Sequence, residues 1–423
     1  YIWTIGCQMN RAESSEIGSY LASLGISRVN TAREADIVIL NTCVVRQNAE
    51  DKVIGMLGYL KGIKKDKPDM RIALTGCFVD SDIQQLSKNY PHINHFFRPG
   101  ENRDFEDWIC LETIDAGGDP SSIFKSPTPV SVFIPIIQGC NNYCSYCIVP
   151  YRRGRERSRP TNEILNIASE LVENGAREIV LLGQNVNAYG KDLDPKTDLA
   201  SLLSGLNDID DLKRIRFLTN HPKDMGPDLI AAMASLRKVC HHVCLPLQAG
   251  DDQILRSMNR HYTVHDYRLL VERLRSAMPD IALSTDIIVG FPGESEAHYL
   301  NTHQAINDVQ FDVVHVAAYS PRTGTLASEK LIDDVPYDEK LRRLHDLENL
   351  QTAILSRINQ KLIGTVVEIL VEGKKGTKWY GRTYSDKLCF YEDSNDQTGM
   401  LVNIKVTSSS PWALQGTAIS QTY

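Results

Sequence analysis

Six apolar runs of strand length, at residues 132–137, 178–182, 214–218, 242–247, 283–289 and 313–319, alternate with helical stretches, and each run feeds a polar or Gly-rich loop. Parallel strands need a long crossover between them, usually a helix, whereas antiparallel ones turn back at once. The alternation therefore predicts a parallel (β/α)6 partial barrel, open or closed. Its strand ends share one rim, where such folds place their chemistry.

A shorter series precedes it. Strands at 2–6, 35–41 and 71–76, separated by helices at 14–24 and 47–61, predict a doubly wound parallel sheet, so the class is α/β. Residues 115–128 are rich in Gly, Pro and Ser and read as a linker. Leu341, Leu344, Leu347, Ile354 and Ile358 mark an amphipathic helix over 337–362, expected to pack against the barrel. Beyond Gly364 the texture changes to short alternating strands at 365–371, 379–383, 388–391, 400–406 and 418–422, the size of a small OB-like β-barrel. The expected organisation is 1–114, 125–335, a connecting helix at 336–362 and a β-domain at 363–423.

A chain with 42% hydrophobic and 23% charged residues buries a core, which excludes a disordered protein. No apolar run approaches the ~20 residues of a membrane helix, and no signal-peptide pattern opens the chain, so a cytoplasmic protein without membrane contact is expected. The first residue is not Met, so a few native residues are expected to precede it. A net charge of −7 argues against a coat of nucleic acid but leaves room for a local basic site. Ten cysteines at this length and spacing are no disulfide scaffold; in a reducing compartment they serve metals or catalysis.

Cys140, Cys144 and Cys147 follow the first barrel strand, with three and two residues between them. Three thiolates at that spacing can wrap a 4Fe–4S cluster and leave the fourth iron without a protein ligand. The amine and carboxylate of S-adenosylmethionine can chelate that iron, and one electron then breaks the sulfonium C–S bond to give a 5′-deoxyadenosyl radical. A structural zinc site would want a fourth protein ligand, usually from a paired CxxC, and the position after a first β-strand favours the cluster.

Cys7, Cys43 and Cys77 each come directly after a predicted strand of the first series. Parallel strands put those ends on one edge, so three cysteines remote in sequence are expected to form a second three-thiolate cluster site. Three packed core thiols are the alternative. Cys110 and Cys389 have no partner motif. Cys240 and Cys244, in CHHVC, lie on or beside a strand whose alternation points neighbours apart, which disfavours a metal site.

Around the barrel rim, Gln184, Asn185, Asn187, Thr219, Asn220, Gln248 and Asp286 lie at or near strand ends and form a candidate ring for the ribose and methionine parts of S-adenosylmethionine. Tyr146 is placed to lie against its adenine, or simply to pack. Arg152, Arg153 and Arg155, with Arg157 and Arg159, crowd the loop after Cys147, where phosphate contact competes with an ordinary solvated face. In the β-domain Lys374, Lys375, Lys378 and Arg382 flank Trp379 and Tyr380, a mixture suited to single-stranded RNA.

Over nearly its whole length the chain resembles the radical-SAM methylthiotransferases. The resemblance rests on GCQMN (6–10), NTC (41–43), TGC (75–77), GCNNYCSYCIVPYRRGRERSRP (139–160), LLGQNVNAYG (181–190), LPLQAGDDQILRSMNRHYT (245–263), TDIIVGFPGE (285–294) and YSPRTGT (319–325). The β-domain resembles the TRAM RNA-binding module. NTCVVRQNAEDK (41–52) and the Gly-Arg-Thr of the β-domain are similar to the branch that acts on N6-isopentenyladenosine in tRNA. The resemblance implies two 4Fe–4S clusters and two uses of S-adenosylmethionine, one methylating a sulfur at the Cys7/Cys43/Cys77 cluster and one giving the radical at the other. It further implies attack at C2 of the adenine just 3′ of the anticodon, a tRNA anticodon stem-loop as partner, a donor such as flavodoxin or ferredoxin, and a monomer. The threonylcarbamoyladenosine branch differs only in its nucleoside pocket. The ribosomal-protein aspartate branch would need no RNA, and an iron–sulfur sensor or RNA-binding module would not cleave S-adenosylmethionine.

Overall fold

The computed structural model describes residues 1–44, 47–79, 82–100, 102–113 and 128–419, and the chain divides into two compact units. Residues 1–126, 138–143 and 147–157 belong to the first, and 127–137, 144–146 and 158–423 to the second. The linker expected at 115–128 falls, apart from residue 128, outside the described residues.

In the first unit β1 (Ile2–Thr4), α1 (Gln8–Ser23), β2 (Ile37–Thr42), α2 (Gln47–Asp66), β3 (Arg71–Gly76), α3 (Ile83–Asn89), β4 (His95–Phe96) and α4 (Asn102–Thr113) follow one another. The strands form a parallel sheet in the order β1-β2-β3-β4. Alternation along β2 sends Val38 and Leu40 to a core with Val53, Leu57 and Leu60 of α2, while Ile39 turns to Ile17 and Leu21 of α1 and Phe105 and Ile109 of α4. Helices thus cover both faces. The short β4 is not legible as an apolar run. Helix α1 starts at Gln8 rather than at 14, because Met9, Asn10 and Ala12 are buried and belong to its packed face.

The β/α series of the second unit starts at β5 (Ser131–Pro135). Next in the chain come β6 (Ile137–Gln138), α5 (Val149–Arg153), which belongs to the first unit, and β7 (Arg157–Ser158), and the series resumes with α6 (Thr161–Glu173), β8 (Glu178–Leu182), α7 (Leu199–Asn207), β9 (Arg214–Phe217), α8 (Pro227–Ser235) and β10 (His242–Cys244). It continues with α9 (Asp252–Ser257), α10 (Val264–Ala277), β11 (Ala282–Val289), α11 (Glu296–Val309), β12 (Val313–Ala318), α12 (Leu326–Lys330) and α13 (Tyr337–Gln360). The parallel sheets β5-β8-β9 and β10-β11-β12 supply the six expected strands. Hydrogen bonds from Cys240 N to Ile215 O at 2.9 Å and from Asn220 N to Cys244 O at 3.2 Å join them. One face of each strand enters a single core, Ile179 and Leu181 of β8 with Ile215 and Phe217 of β9, against Ile164, Ala168 and Val172 of α6. The four-residue spacing of those α6 residues is that of one helix face. Helix α10 opens with a capping box between Thr263 and Asp266, which satisfies otherwise orphaned N–H groups.

The chain ends in a closed barrel, ordered β13-β14-β15-β17-β16, of β13 (Val366–Lys375), β14 (Lys378–Thr383), β15 (Leu388–Glu392), β16 (Leu401–Ser409) and β17 (Leu414–Ala418). Among the described residues the last strand is 414–418, with Leu414 entering the core beside Ile369, Trp379, Tyr391 and Ile404; residues 420–422 of the strand expected at 418–422 lie outside the described residues. This barrel is anchored at the strand starts of the β/α series. Arg214 and Arg216, two apart and so on one face of β9, are both buried. Arg216 is paired with Glu178 at 2.5 Å and donates to Thr383 O at 2.6 Å and Tyr384 O at 3.2 Å. Arg214 donates to the Arg382 carbonyl and, at 3.2 Å, to that of Glu368. Lys387 meets Asp312, just before β12, at 2.6 Å.

Candidate iron–sulfur and S-adenosylmethionine sites

In the first unit, Cys7, Cys43 and Cys77 all stand where a strand has just ended, beyond β1, β2 and β3. The register pairs Thr4 with Asn41, Asn41 with Thr75 and Thr42 with Gly76, so the three follow neighbouring strands at one edge. Cys43 and Cys77 are buried and Cys7 is exposed. The edge is built for close approach. A Cβ on Gly6 would sit 2.7 Å from that of Cys43, and Gly76, at φ +93°, holds its backbone against Thr42 where a side chain would collide. Asn10 and Asn41 knit the loops: Asn10 donates to Asn41 Oδ1 at 2.7 Å and to Thr42 O at 2.9 Å, and the Cys7 thiol donates to Asn10 Oδ1 at 3.1 Å.

Arg153, at the end of α5, belongs to the same unit and points into this edge. It pairs with Glu13 through Nη1 at 2.5 Å and Nη2 at 3.3 Å. Burial pushes the Cys77 thiol up, and Arg153 pulls the other way. Among the described residues no three Cys, His, Asp or Glu groups converge as ligands of a single ion. A cubane asks for something else, one thiolate per iron. The thiol-only donor set, the glycine cradle and the adjacent cation fit a 4Fe–4S cluster.

The other three cysteines follow β6. In the first unit, Cys140 is half-buried and its N–H donates to Gly154 O at 3.1 Å, and Cys147 is half-buried ahead of α5. Gly139, at φ +78°, lies so close to the Arg155 backbone that any Cβ would clash. In the second unit, Cys144 is buried and receives a hydrogen bond from Arg260 Nη1 at 3.3 Å. Arg260 also donates to Pro246 O at 3.0 Å and to the Tyr262 hydroxyl at 2.9 Å, which fixes its plane. Tyr146 packs edge-on to Phe291, with ring centroids 6.5 Å apart.

The strand-end ring expected for S-adenosylmethionine is only partly available. Thr219 and Gln248 both adopt positive φ, +64° and +71°. A β-branched residue in that region is strained, and strain of this kind gathers at ligand sites. Gln184 and Asp286 are half-buried, and Asp286 O accepts from Gln248 N at 2.9 Å. Asn185 donates to Asp224 at 2.9 Å and Asn220 to Cys244 O at 3.0 Å, with the Asn220 carbonyl oxygen buried and unpartnered. The Asn187 amide nitrogen donates to His221 O and its oxygen accepts from His221 N, both at 2.9 Å, so its amide braces that loop.

Arg260 and His221 were missed in the sequence. His221 is buried, and its Nδ1 accepts from Lys223 N at 3.3 Å, which leaves the proton on Nε2, a buried donor without a partner. Burial, then Arg260, pull its pKa down to about 2, so the ring is neutral. Arg260 lies within the 245–263 motif without a role assigned to it and His221 lies in none of the motifs quoted; only the fold brings Arg260 to Cys144. Burial pushes the Cys240 and Cys244 thiols each up to about 12.

Two residues expected to touch RNA turn out to be interior. Arg153 is buried in its ion pair, and Trp379 sits in the β-barrel core with Nε1 donating to Asp393 O at 3.1 Å. The half-buried carboxylate of Glu13 and an inward-facing β14 position are the reasons. Arg382 faces Glu372 at 3.4 Å and Asp386 at 3.6 Å, near the anchoring surface. Lys374 and Lys375 are exposed, with the Lys374 ammonium 5.0 Å from the Trp379 ring centroid. Lys378 reaches Gln415 at 3.1 Å, Arg155 is exposed and Arg152 is half-buried.

The radical SAM superfamily matches residues 134–306, and the family described as uncharacterized protein family UPF0004 matches residues 1–98. A tRNA-2-methylthio-N(6)-dimethylallyladenosine synthase of Dehalococcoides mccartyi is 50% identical over 416 residues, covering 98% of this chain and 97% of its own. Proteins of the same name from Herpetosiphon aurantiacus and Clostridium novyi are each 42% identical, covering 100% and 99% of this chain and 98% and 96% of their own. A solved radical S-adenosylmethionine methyltransferase, TsrM from Kitasatospora setae, matches in fold with a TM-score of 0.52 at 15% identity, over 69% of this chain and 63% of that one. With two strand-end thiol sets of cluster chemistry and relatives alike from end to end, the chain belongs to the tRNA-2-methylthio-N6-dimethylallyladenosine synthase family, radical-SAM methylthiotransferases that use S-adenosylmethionine and two 4Fe–4S clusters.

Proposed function

We propose that this chain attaches a methylthio group to C2 of N6-isopentenyladenosine beside the tRNA anticodon. Cys140, Cys144 and Cys147 would hold the cluster that binds S-adenosylmethionine, and Cys7, Cys43 and Cys77 the auxiliary one. When bound, these groups supply a radical able to take hydrogen from an inert aromatic C–H, and a methylated sulfur to replace it. The observation that carries the reading is the register of β1, β2 and β3, which brings three cysteines far apart in sequence to one edge.

The chain's own residues bind, orient and exclude water. Arg260 steadies the Cys144 sulfur, while Thr219, Asn220, Gln248 and Asp286, with His221, line the strand ends as polar contacts for S-adenosylmethionine. Asn187 holds the His221 loop in place. Lys374, Lys375 and Lys378 of the β-domain, and Arg155 of the cysteine loop, are the cations proposed to meet the phosphates of the anticodon stem-loop. The domain limits proposed are 1–114, 125–335, 336–362 and 363–423. The chain works as a cytoplasmic monomer fed with electrons by flavodoxin or ferredoxin; none of its helices is long and apolar enough to cross a membrane among the described residues.

The test is nucleoside mass spectrometry after anaerobic incubation of reconstituted protein with reductant, S-adenosylmethionine and tRNA bearing isopentenyl- or threonylcarbamoyl-adenosine. A methylthio product on the isopentenyl nucleoside is expected. Product on the threonylcarbamoyl nucleoside alone moves the chain to the other branch. Failure to form 5′-deoxyadenosine, from protein holding both clusters, overturns the catalytic reading.

A further inference from the structure

Two tyrosines of the first unit stand out in water beside the cysteine loop. Tyr143, between Cys140 and Cys144, is 42% exposed, and Tyr151, on α5, is 50% exposed. Their ring centroids lie 6.2 Å apart and the planes meet at 83°, an edge-on pair. Helix α5 shows why Tyr151 is outside: Pro150 and Arg153, three apart and so on one helix face, are buried, Arg153 in its ion pair with Glu13. Tyr143 is held in the left-handed region, at φ +49°, which a bulky residue adopts only where its surroundings impose it. The Asn141 backbone N–H and side-chain amide donate to the two carboxylate oxygens of Glu156 at 3.2 and 3.1 Å, and Glu156 N donates back to Asn141 Oδ1 at 3.3 Å. With Cys140 N donating to Gly154 O at 3.1 Å, these bonds clamp the segment bearing Tyr143 to the one that follows Tyr151. The pair is therefore ordered before anything binds, which lowers the cost of binding.

The clamp also turns the loop's carboxylate inward. Glu156 is half-buried and engaged by Asn141, whereas Arg155 and Arg157 on either side of it are exposed. An apolar protein face or a lipid surface would call for aliphatic neighbours, but the exposed neighbours here are Asn141, Gly154, Arg155 and Arg157. Rigid aromatic rings flanked by guanidiniums suit an unstacked nucleobase, which lies on a ring while the cations meet its backbone.

We propose that Tyr143 and Tyr151 form a stacking platform for an unpaired base of the anticodon loop next to the target adenosine, with Arg155 and Arg157 on its phosphates. This rests on the tRNA reading above and adds how the target is parted from its neighbour. Tyr143 stands between two of the cysteines proposed to hold the radical-forming cluster, so a base stacked there is held beside the reacting one.

The test measures binding of the full chain, reconstituted with both clusters, to an anticodon stem-loop RNA carrying N6-isopentenyladenosine. A series of such RNAs has an abasic nucleotide at each unpaired loop position in turn. Tyr143→Leu and Tyr151→Leu are expected to weaken binding of the intact RNA about five- to a hundredfold, and Tyr143→Phe and Tyr151→Phe to keep it. At one loop position beside the target, the abasic RNA should bind the parent chain more weakly by a like factor and the Leu variants little further, a coupling that general loosening does not give. The salt slope should stay unchanged in the Leu variants, which remove no charge, and fall in Arg155→Gln/Arg157→Gln. Leu variants that bind like the parent overturn the platform, and so does a loss that simply adds to that of every abasic position. Should Tyr143→Leu lose a cluster, Tyr151→Leu, outside the cysteine triplet, is judged by the same cycle. Cluster loss or unfolding there too assigns both rings to the cysteine loop alone and overturns the platform. A parent chain that binds no anticodon stem-loop sinks the tRNA reading together with the platform, whereas a binding parent beside unaffected Leu variants sinks the platform alone.

Discussion

Arg260 donates to the Sγ of Cys144 at 3.3 Å across 116 residues of sequence, from a side chain whose plane is set by Pro246 O and the Tyr262 hydroxyl. A charge-assisted hydrogen bond of this kind contributes about 1.5–3 kcal/mol. Arg260→Met is expected to reduce 5′-deoxyadenosine formation about ten- to a hundredfold, with Arg260→Lys in between. An activity in Arg260→Met equal to that of the parent would show that the contact has no role in the chemistry.

His221 gives a pH dependence whose sign is fixed. Its folded pKa, about 2, is far below its ordinary 6.5, so the unfolded chain binds the proton that the native one refuses. Stability is fully present above about pH 6.5 and is lost as pH falls, by about 1.4 kcal/mol per unit for a group of this kind. Urea unfolding at pH 7.5 and 5.5 should show a smaller drop for His221→Gln than for the parent chain, and equal drops would remove the argument.

One anchor of the β-barrel, Arg216, is held in place by its buried pair with Glu178. Truncating one partner strands the other charge and costs about 3–5 kcal/mol. Arg216→Met should thus lower the melting temperature and open the β-domain to proteolysis, while Glu178→Gln/Arg216→Met recovers most of the loss. A double variant no better than the single one would place the stabilisation elsewhere.

Trp379 and Lys375 separate fold from RNA contact. Trp379→Ala empties a core position and should cost about 3–5 kcal/mol of stability. Lys375→Glu, at an exposed site, should leave the melting temperature within a degree or so, weaken tRNA binding and flatten its salt dependence. Filter-binding titrations at several salt concentrations decide it.

Strand ends were readable because β2, β3, β8 and β11 are apolar runs too long for a turn and too short for a helix, and each cysteine of the two sets follows such a run or the loop after it. Side-chain direction was not. Arg153 looks like one cation in a solvated run until Glu13, 140 residues earlier, arrives as its partner. Trp379 reads as a stacking platform amid lysines, and only the closure of the barrel turns it inward. His221, Arg214 and Arg216 carry no motif, and Arg260 sits in one that does not announce its partner, because their meaning lies in contacts that span the fold.

The two buried arginines of β9 tether the β-barrel to the feet of the strands, whereas Cys144 and Arg260 mark their heads. An extended strand such as β11, with 8 residues, covers roughly 25 Å at about 3.3 Å per residue. With its tail fastened there, the second unit becomes a calliper: a polynucleotide held by the cations proposed on the β-barrel would have to be long and stiff enough to bridge that gap before it delivered a base to the proposed S-adenosylmethionine site. A free nucleoside or a few-nucleotide fragment would fill the reactive end without ever being measured.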